Sequence, residues 1–345
     1  MVKRKSRRAP SVAPLMELAT SFWAFKTLAA ALELELFSRL SSTRGTTPRE
    51  LAALLGTAER PAEMLLTGCA ALGLLGKSAG RYRNSRLAEE FLVPGRPYYF
   101  GGFVEMLDRR LYPGWAKLVE AIRTNRPTTW DPDRQASLFD GADPVMLAHF
   151  WEGMHSISSA TGRALASKVD LRRHQRLLDV GGGSGAYDIE LCRRHRQLRA
   201  TVYDLPHVVE IAARNAAEAG LASRIGTQAG DFFADAAYPA GHDVILLSMI
   251  LHDWSEQDGR RILRKCWEAL PDGGALIVCE LLVNDAKTGP PPGALMSLNM
   301  LIETTGGRNY TAAEYTTWLR ETGFRKVRKL RLDGPGADGA LIATR

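Results

Sequence analysis

Residues Arg176–Gly185 read RLLDVGGGSG, and Val202–Glu210 read VYDLPHVVE. The first stretch predicts a buried strand over Arg176–Val180, a tight turn over Gly181–Gly185 and a helix from Ala186 to Arg194. Glycine tolerates positive φ and has no Cβ, so such a turn lets the backbone approach a ligand closely. Asp204 ends the second apolar run, where a strand-end carboxylate can accept both hydroxyls of a ribose. The pair of segments therefore predicts a nucleoside cofactor.

Two cofactors fit a glycine turn of this kind. A dinucleotide fingerprint needs G-x-G-x-x-G with its third glycine inside the helix, but Ala186 follows Gly185 and position 188 is Asp. Asp188 near the helix N-terminus would repel a pyrophosphate, and Asp179 before the glycines adds a second anion. S-adenosylmethionine carries a sulfonium and an ammonium group and no phosphate. The residues favour it over NAD.

Downstream, strands and helices alternate, which predicts an α/β unit with a parallel, Rossmann-like sheet covered by helices on both faces. The strands are Leu177–Val180, Thr201–Leu205, Arg224–Ala229, Asp243–Leu247 and Ala275–Glu280. Helices follow at Tyr187–Arg194, His207–Ala219, Ser255–Leu270 and Ala312–Thr322. Lys326–Leu332 and Gly339–Thr344 are joined by so short a turn that they must form an antiparallel C-terminal hairpin. Ligands of open α/β sheets sit beyond the carboxyl ends of the strands. That rule selects Gly181–Gly185, Asp204, Asp231 with Phe232, Ser248–Asp253 and Glu280–Asp285. Asp231 offers a carboxylate to an exocyclic amine and Phe232 a ring to an adenine face; a helix-capping role for Asp231 stays open beside this. His252, in SMILHDWSEQD, stands at the cofactor edge, and imidazole can take a proton from an acidic hydroxyl. Asp285 and Glu314 are the carboxylates expected to orient it.

Upstream, Leu15–Leu40 carries a wide apolar stripe at helical spacing, suited to its own core or to a second subunit. Thr47, Pro48 and Glu50 form a capping-box signal for a helix reaching Leu55. A helix over Ala58–Leu72 and a hairpin over Gly73–Asn84 complete a winged-helix order. The presumptive reader helix, ERPAEMLLTGCAAL, has Arg60 as its only basic residue, which argues for a structural module and against DNA recognition. Residues 126–144 read as a long loop, and Leu147–Val169 as a helix whose Phe150 and Met154 suit a core face. The expected division is a basic tail over 1–11, a winged-helix-like domain over 12–110, a helical linker over 111–170 and a cofactor-binding domain over 171–345.

The net charge of +7 owes five positive charges to Lys3, Arg4, Lys5, Arg7 and Arg8, which suits a solvated tail better than a nucleic-acid surface. No apolar run reaches the roughly 20 residues of a membrane helix. The four cysteines have no metal-type spacing, which points to a reducing, cytoplasmic setting without a metal site or disulfides.

The ordered set DVGGGSG, YDLPHVV, AGDFF, LHDWSEQDGRRILRKCWEALPDGG, GGRNYTAAEY and WLRETGF resembles the S-adenosylmethionine-dependent O-methyltransferases of the plant caffeate and flavonoid type and the bacterial polyketide type. The resemblance covers most of residues 15–345. It implies a homodimer through the N-terminal domain and an aromatic small-molecule acceptor, with no nucleic acid or membrane partner. It implies that Gly181 and Gly183 contact the methionine part, Asp204 and the adjoining Leu205 the ribose side, and Asp231 with Phe232 the adenine. Ser158 and Ser248 are further cofactor candidates; plant members usually carry a lysine where this chain has Ser248. The resemblance makes His252 the general base, flanked by Asp285 and Glu314. It also moves Phe150 and Met154, with Met300, into the acceptor pocket.

Overall fold

The computed structural model describes residues 11–135 and 144–345, the side chains of 144–149 and of Glu152 excepted. The expected basic tail, apart from Ser11, and much of the 126–144 loop lie outside the described residues. The chain divides between Asp108 and Arg109 into two compact units. The 111–170 segment therefore belongs to the same unit as the sheet.

The N-terminal unit contains α1 (Ala13–Glu33), α2 (Leu36–Leu40), α3 (Pro48–Leu55), α4 (Glu59–Ala71), the hairpin β1 (Leu75–Ser78) and β2 (Arg81–Asn84), then α5 (Arg86–Phe91) and α6 (Gly101–Met106). The long apolar stripe is two helices, because Glu35 takes a left-handed conformation at φ 56° and ends the first. The capping box forms: Thr47 Oγ1 accepts the Glu50 N–H and the Glu50 carboxylate accepts the Thr47 N–H. Leu36, Phe37, Leu51, Leu66 and Cys69 close the core of this unit. Each such leucine contributes about 2 kcal/mol by leaving water. Leu15, Met16, Leu18, Phe22 and Trp23 of α1 face outward.

The second unit begins in a π-helical stretch, Leu107–Leu111, and continues through α7 (Tyr112–Trp115), α8 (Leu118–Thr124) and α9 (Pro144–Lys168). Then come β3 (Arg176–Val180), α10 (Ala186–Arg194), β4 (Arg199–Asp204), α11 (Pro206–Glu218), β5 (Ile225–Ala229), β6 (Val244–Ser248), α12 (Glu256–Ala269), β7 (Ala275–Glu280), α13 (Pro291–Glu303), α14 (Ala312–Thr322), β8 (Arg325–Arg331) and β9 (Gly339–Thr344). α13 has no counterpart among the elements read from sequence spacing. Its prolines stand at its first two positions, where their missing N–H groups leave no helical hydrogen bond unmade.

The sheet order is β5-β4-β3-β6-β7-β9-β8, parallel from β5 to β7 and antiparallel through β9 and β8. β6 and β7 are buried along their whole length, as a sheet covered on both faces requires. One core packs on each face of the sheet. The connections run outward in opposite directions from the neighbouring strands β3 and β6. Their carboxyl ends flank the crevice where such sheets bind ligands. No helix of the described residues is long and apolar enough to cross a membrane.

Candidate active site

Gly181, Gly183 and Gly185 all have positive φ, at 69°, 56° and 72°. A Cβ on Gly181 would lie 2.5 Å from Ile250 Cδ1, and one on Gly183 would lie 3.0 Å from the Trp151 ring. The turn is thus a cradle that only glycine fits, roofed by a side chain of α9. Asp204, buried at the end of β4, ties it down: Oδ2 accepts the Gly183 N–H at 2.8 Å and Oδ1 the Leu205 N–H at 2.7 Å. Burial raises the Asp204 pKa against the lowering effect of these two N–H groups. Each oxygen keeps acceptor capacity for a ligand hydroxyl.

Asp231 uses Oδ1 to accept the Phe233 N–H at 2.7 Å and the Ala234 N–H at 3.1 Å. The capping role is therefore real, and Oδ2 is left uncommitted among the described residues. Phe232 packs tilted against Phe233 and edge-to-face against Trp254, and its ring edge lies beside Gly181. Lys265 fixes this loop by donating to the carbonyls of Phe232, Phe233 and Asp235. Ser248 ends β6 and Ser158 lies on α9; neither hydroxyl has a hydrogen bond among the described residues.

Beneath the turn, Asp179 and Asp188 are completely buried, and none of their four oxygens accepts a hydrogen bond from a described donor. Burial raises both pKa values, and their mutual interaction raises Asp179 further, so the pair holds a proton at neutral pH. A cradle made for close backbone approach, backed by carboxyls with no cation of their own, fits a phosphate-free cation. S-adenosylmethionine answers to that description.

His252 reaches the crevice through a strained exit from β6. Met249 is left-handed at φ 57°, and the 3-10 turn Leu251–Asp253 follows. The imidazole is 3% exposed, with Nδ1 2.6 Å from Glu280 Oε2 and Nε2 3.2 Å from Asp253 Oδ1. Glu280 ends β7, fully buried, and its Oε1 accepts the N–H groups of Ile250 and Leu251. Burial alone would lower the His252 pKa. The Glu280 carboxylate, with Asp253 second, outweighs burial and pushes it up to about 9. With Nδ1–H donated to Glu280, the neutral ring presents Nε2 as the proton acceptor.

The expected orienting acids are placed elsewhere. Asp285 lies in the exposed turn beyond β7. Glu314 accepts the Thr311 N–H in a capping box and pairs with Lys287 at 2.9 Å. The reason is register: Cys279 pairs with Ser248, so Glu280 reaches the exit of β6 while five more residues carry Asp285 away. The available signal was that Glu280 is the one charged residue of the apolar strand ALIVCE.

The acceptor-side candidates lie on α9 and α13. Phe150 packs edge-on against Trp151, Met154 is half-buried one turn further along α9, and Met300 is buried on α13. α13 packs on the 3-10 turn that carries His252. Trp151 was not singled out from sequence, and Asp253 and Glu280 entered only as ends of the selected segments Ser248–Asp253 and Glu280–Asp285, without a role, because only the fold brings them to the glycine turn and the imidazole.

Residues 115–325 match the family model of the O-methyltransferase domain, and residues 16–94 that of the O-methyltransferase dimerisation domain. The chain is 51% identical to the 3-hydroxy-5-methyl-1-naphthoate 3-O-methyltransferase of Streptomyces sahachiroi, over 96% of this chain and 94% of that one. It is 31% identical to the L-tyrosine C(3)-methyltransferase of Streptomyces lavendulae, over 93% and 90%. Its fold matches human N-acetylserotonin methyltransferase, solved in complex with S-adenosylmethionine, with a TM-score of 0.87 and 27% identity over 99% of both chains.

Proposed function

The chain belongs to the S-adenosylmethionine-dependent O-methyltransferase family, and from that premise we propose that it methylates a phenolic hydroxyl of a flat, polyketide-type aromatic acceptor, with His252 as general base. The observation that carries the reading is the buried Glu280–His252 pair at 2.6 Å, which fixes Nδ1; Nε2, 3.2 Å from the half-exposed Asp253 carboxylate, is the nitrogen that meets the reacting hydroxyl when the acceptor takes that carboxylate's place. S-adenosylmethionine, when bound, supplies an electrophilic methyl group on a sulfonium. Gly181, Gly183, Asp204, Leu205, Asp231, Phe232, Ser158 and Ser248 hold that cofactor. Phe150, Met154 and Met300 press the acceptor ring flat and align its oxygen, which is most of what an in-line displacement requires. As the oxygen gains methyl, its proton passes to Nε2 of His252, and Glu280 stabilises the resulting imidazolium. A base with a pKa of about 9 is well matched to a phenol near 10, so the transfer is close to balanced. The outward apolar face of α1 supports a homodimer through the N-terminal unit.

The test is turnover of S-adenosylmethionine with a panel of hydroxynaphthoates and other phenols, with products identified by mass spectrometry and NMR. His252→Gln is expected to bind cofactor normally and lose on the order of 100-fold or more in O-methylation. Equal rates in both proteins would remove His252 from the reaction. Methyl on a ring carbon would move the chain toward the chemistry named for its tyrosine-methylating relative.

A further inference from the structure

Arg110 is buried in the sheet-containing unit and only partly used. It sits in the π-helical stretch Leu107–Leu111, an irregularity that helices often carry at functional positions. Its side chain is 13% exposed, and one terminal nitrogen, Nη2, bonds both oxygens of Glu303 at 3.1 and 3.0 Å. Nε and Nη1 have no hydrogen-bond partner among the described residues. The guanidinium carbon lies 5.8 Å from the centre of the Phe150 ring. Glu303 follows Met300 by three residues on the same face of α13, and its charge is felt by Asp253 beside His252. Arg110, Phe150, Met300, Glu303 and His252 thus line one neighbourhood.

A buried ion pair is a poor device for stability alone, since desolvation offsets its attraction. A guanidinium is, however, a planar fork that matches a carboxylate in two hydrogen bonds. Glu303 takes Nη2 alone and fixes the plane, which leaves the Nη1 and Nε N–H groups to donate beside an aromatic ring. We propose that Arg110 is a specificity-determining residue that binds a carboxylate on the aromatic acceptor, so that the enzyme takes aromatic hydroxy acids in preference to neutral phenols. Glu303 is its positioning residue. The inference rests on the aromatic-acceptor reading above and adds the charged group that the acceptor carries.

The experiment compares 3-hydroxy-5-methyl-1-naphthoate with the carboxamide of the same ring, by equilibrium binding to the S-adenosylmethionine-loaded protein and by turnover. The wild type is expected to bind the carboxylate about 10- to 100-fold more tightly than the amide. In Arg110→Gln that preference collapses to within about threefold through a weaker Kd for the carboxylate while the cofactor Kd holds; Tm falls, because Glu303 stays buried without its cation. Arg110→Lys, which keeps the charge and loses the fork, retains part of the preference. Loss of affinity for both ligands equally in Arg110→Gln, or no preference in the wild type, overturns the proposal. Tight, Arg110-dependent carboxylate binding without product would instead overturn the methyl-transfer reading and leave this one standing.

Discussion

Replacing Glu280 by Gln should change His252 in two ways at once. In the native protein the imidazole is buried, yet its pKa stands at about 9 because Glu280 touches Nδ1 and Asp253 approaches Nε2. Against an ordinary value near 6.5 this favours the charged ring by roughly 3 kcal/mol. The amide removes the larger attraction, and Asp253, 40% exposed at its side chain, supplies only a screened remainder. Burial then pulls the midpoint to about 6.5 or below. NMR of the imidazole in cofactor-free protein reads this directly. The stability consequence has a definite sign. A histidine whose folded pKa is raised contributes most below pH 6.5 and loses that contribution as pH rises through 9. The Tm deficit of Glu280→Gln should therefore be largest near pH 6 and shrink by pH 9.5. Turnover of the wild type should climb with pH as the base is freed. In the variant the profile should move to lower pH while its plateau falls, because Gln no longer holds one tautomer. A midpoint still near 9 in Glu280→Gln, or one moved upward, would refute the electrostatic account.

Gly183→Ala forces an L-residue to φ 56° with its Cβ 3.0 Å from Trp151, and isothermal titration should find S-adenosylmethionine binding weakened by about tenfold or more. Asp188→Asn removes half of a buried acid pair whose raised pKa values make stability fall as pH rises; its Tm should exceed that of the wild type by a few degrees at pH 8 and by less at pH 5, with no pH trend counting against a shared proton. Trp23→Asp on the outward face of α1 should shift sedimentation from dimer to monomer without unfolding the N-terminal unit, and an unchanged sedimentation coefficient would place the interface elsewhere.

The alternating strands and helices, the glycine turn, the strand-end Asp204 and the placement of His252 were all legible in the sequence. They are local: chain direction, apolar runs and backbone freedom are set within a few residues, and the rule that ligands gather at the carboxyl ends of parallel strands does the rest. The capping box at Thr47 belongs to the same class; the one at Thr311 was not read from the sequence, and it holds Glu314 away from the imidazole. α13 was obscured because its prolines read as breakers in isolation and as a first turn only in place. What the tertiary structure alone decided is partnership. Glu280 meets His252 through the register of β6 beside β7, Trp151 covers Gly183 because α9 folds back over the turn, and Arg110 meets Glu303 across 193 residues of chain. The position beyond the fifth strand, with the family resemblance, pointed to Asp285 and not to Glu280. Strand register reversed that choice, because contacts between distant segments depend on packing that no local pattern encodes.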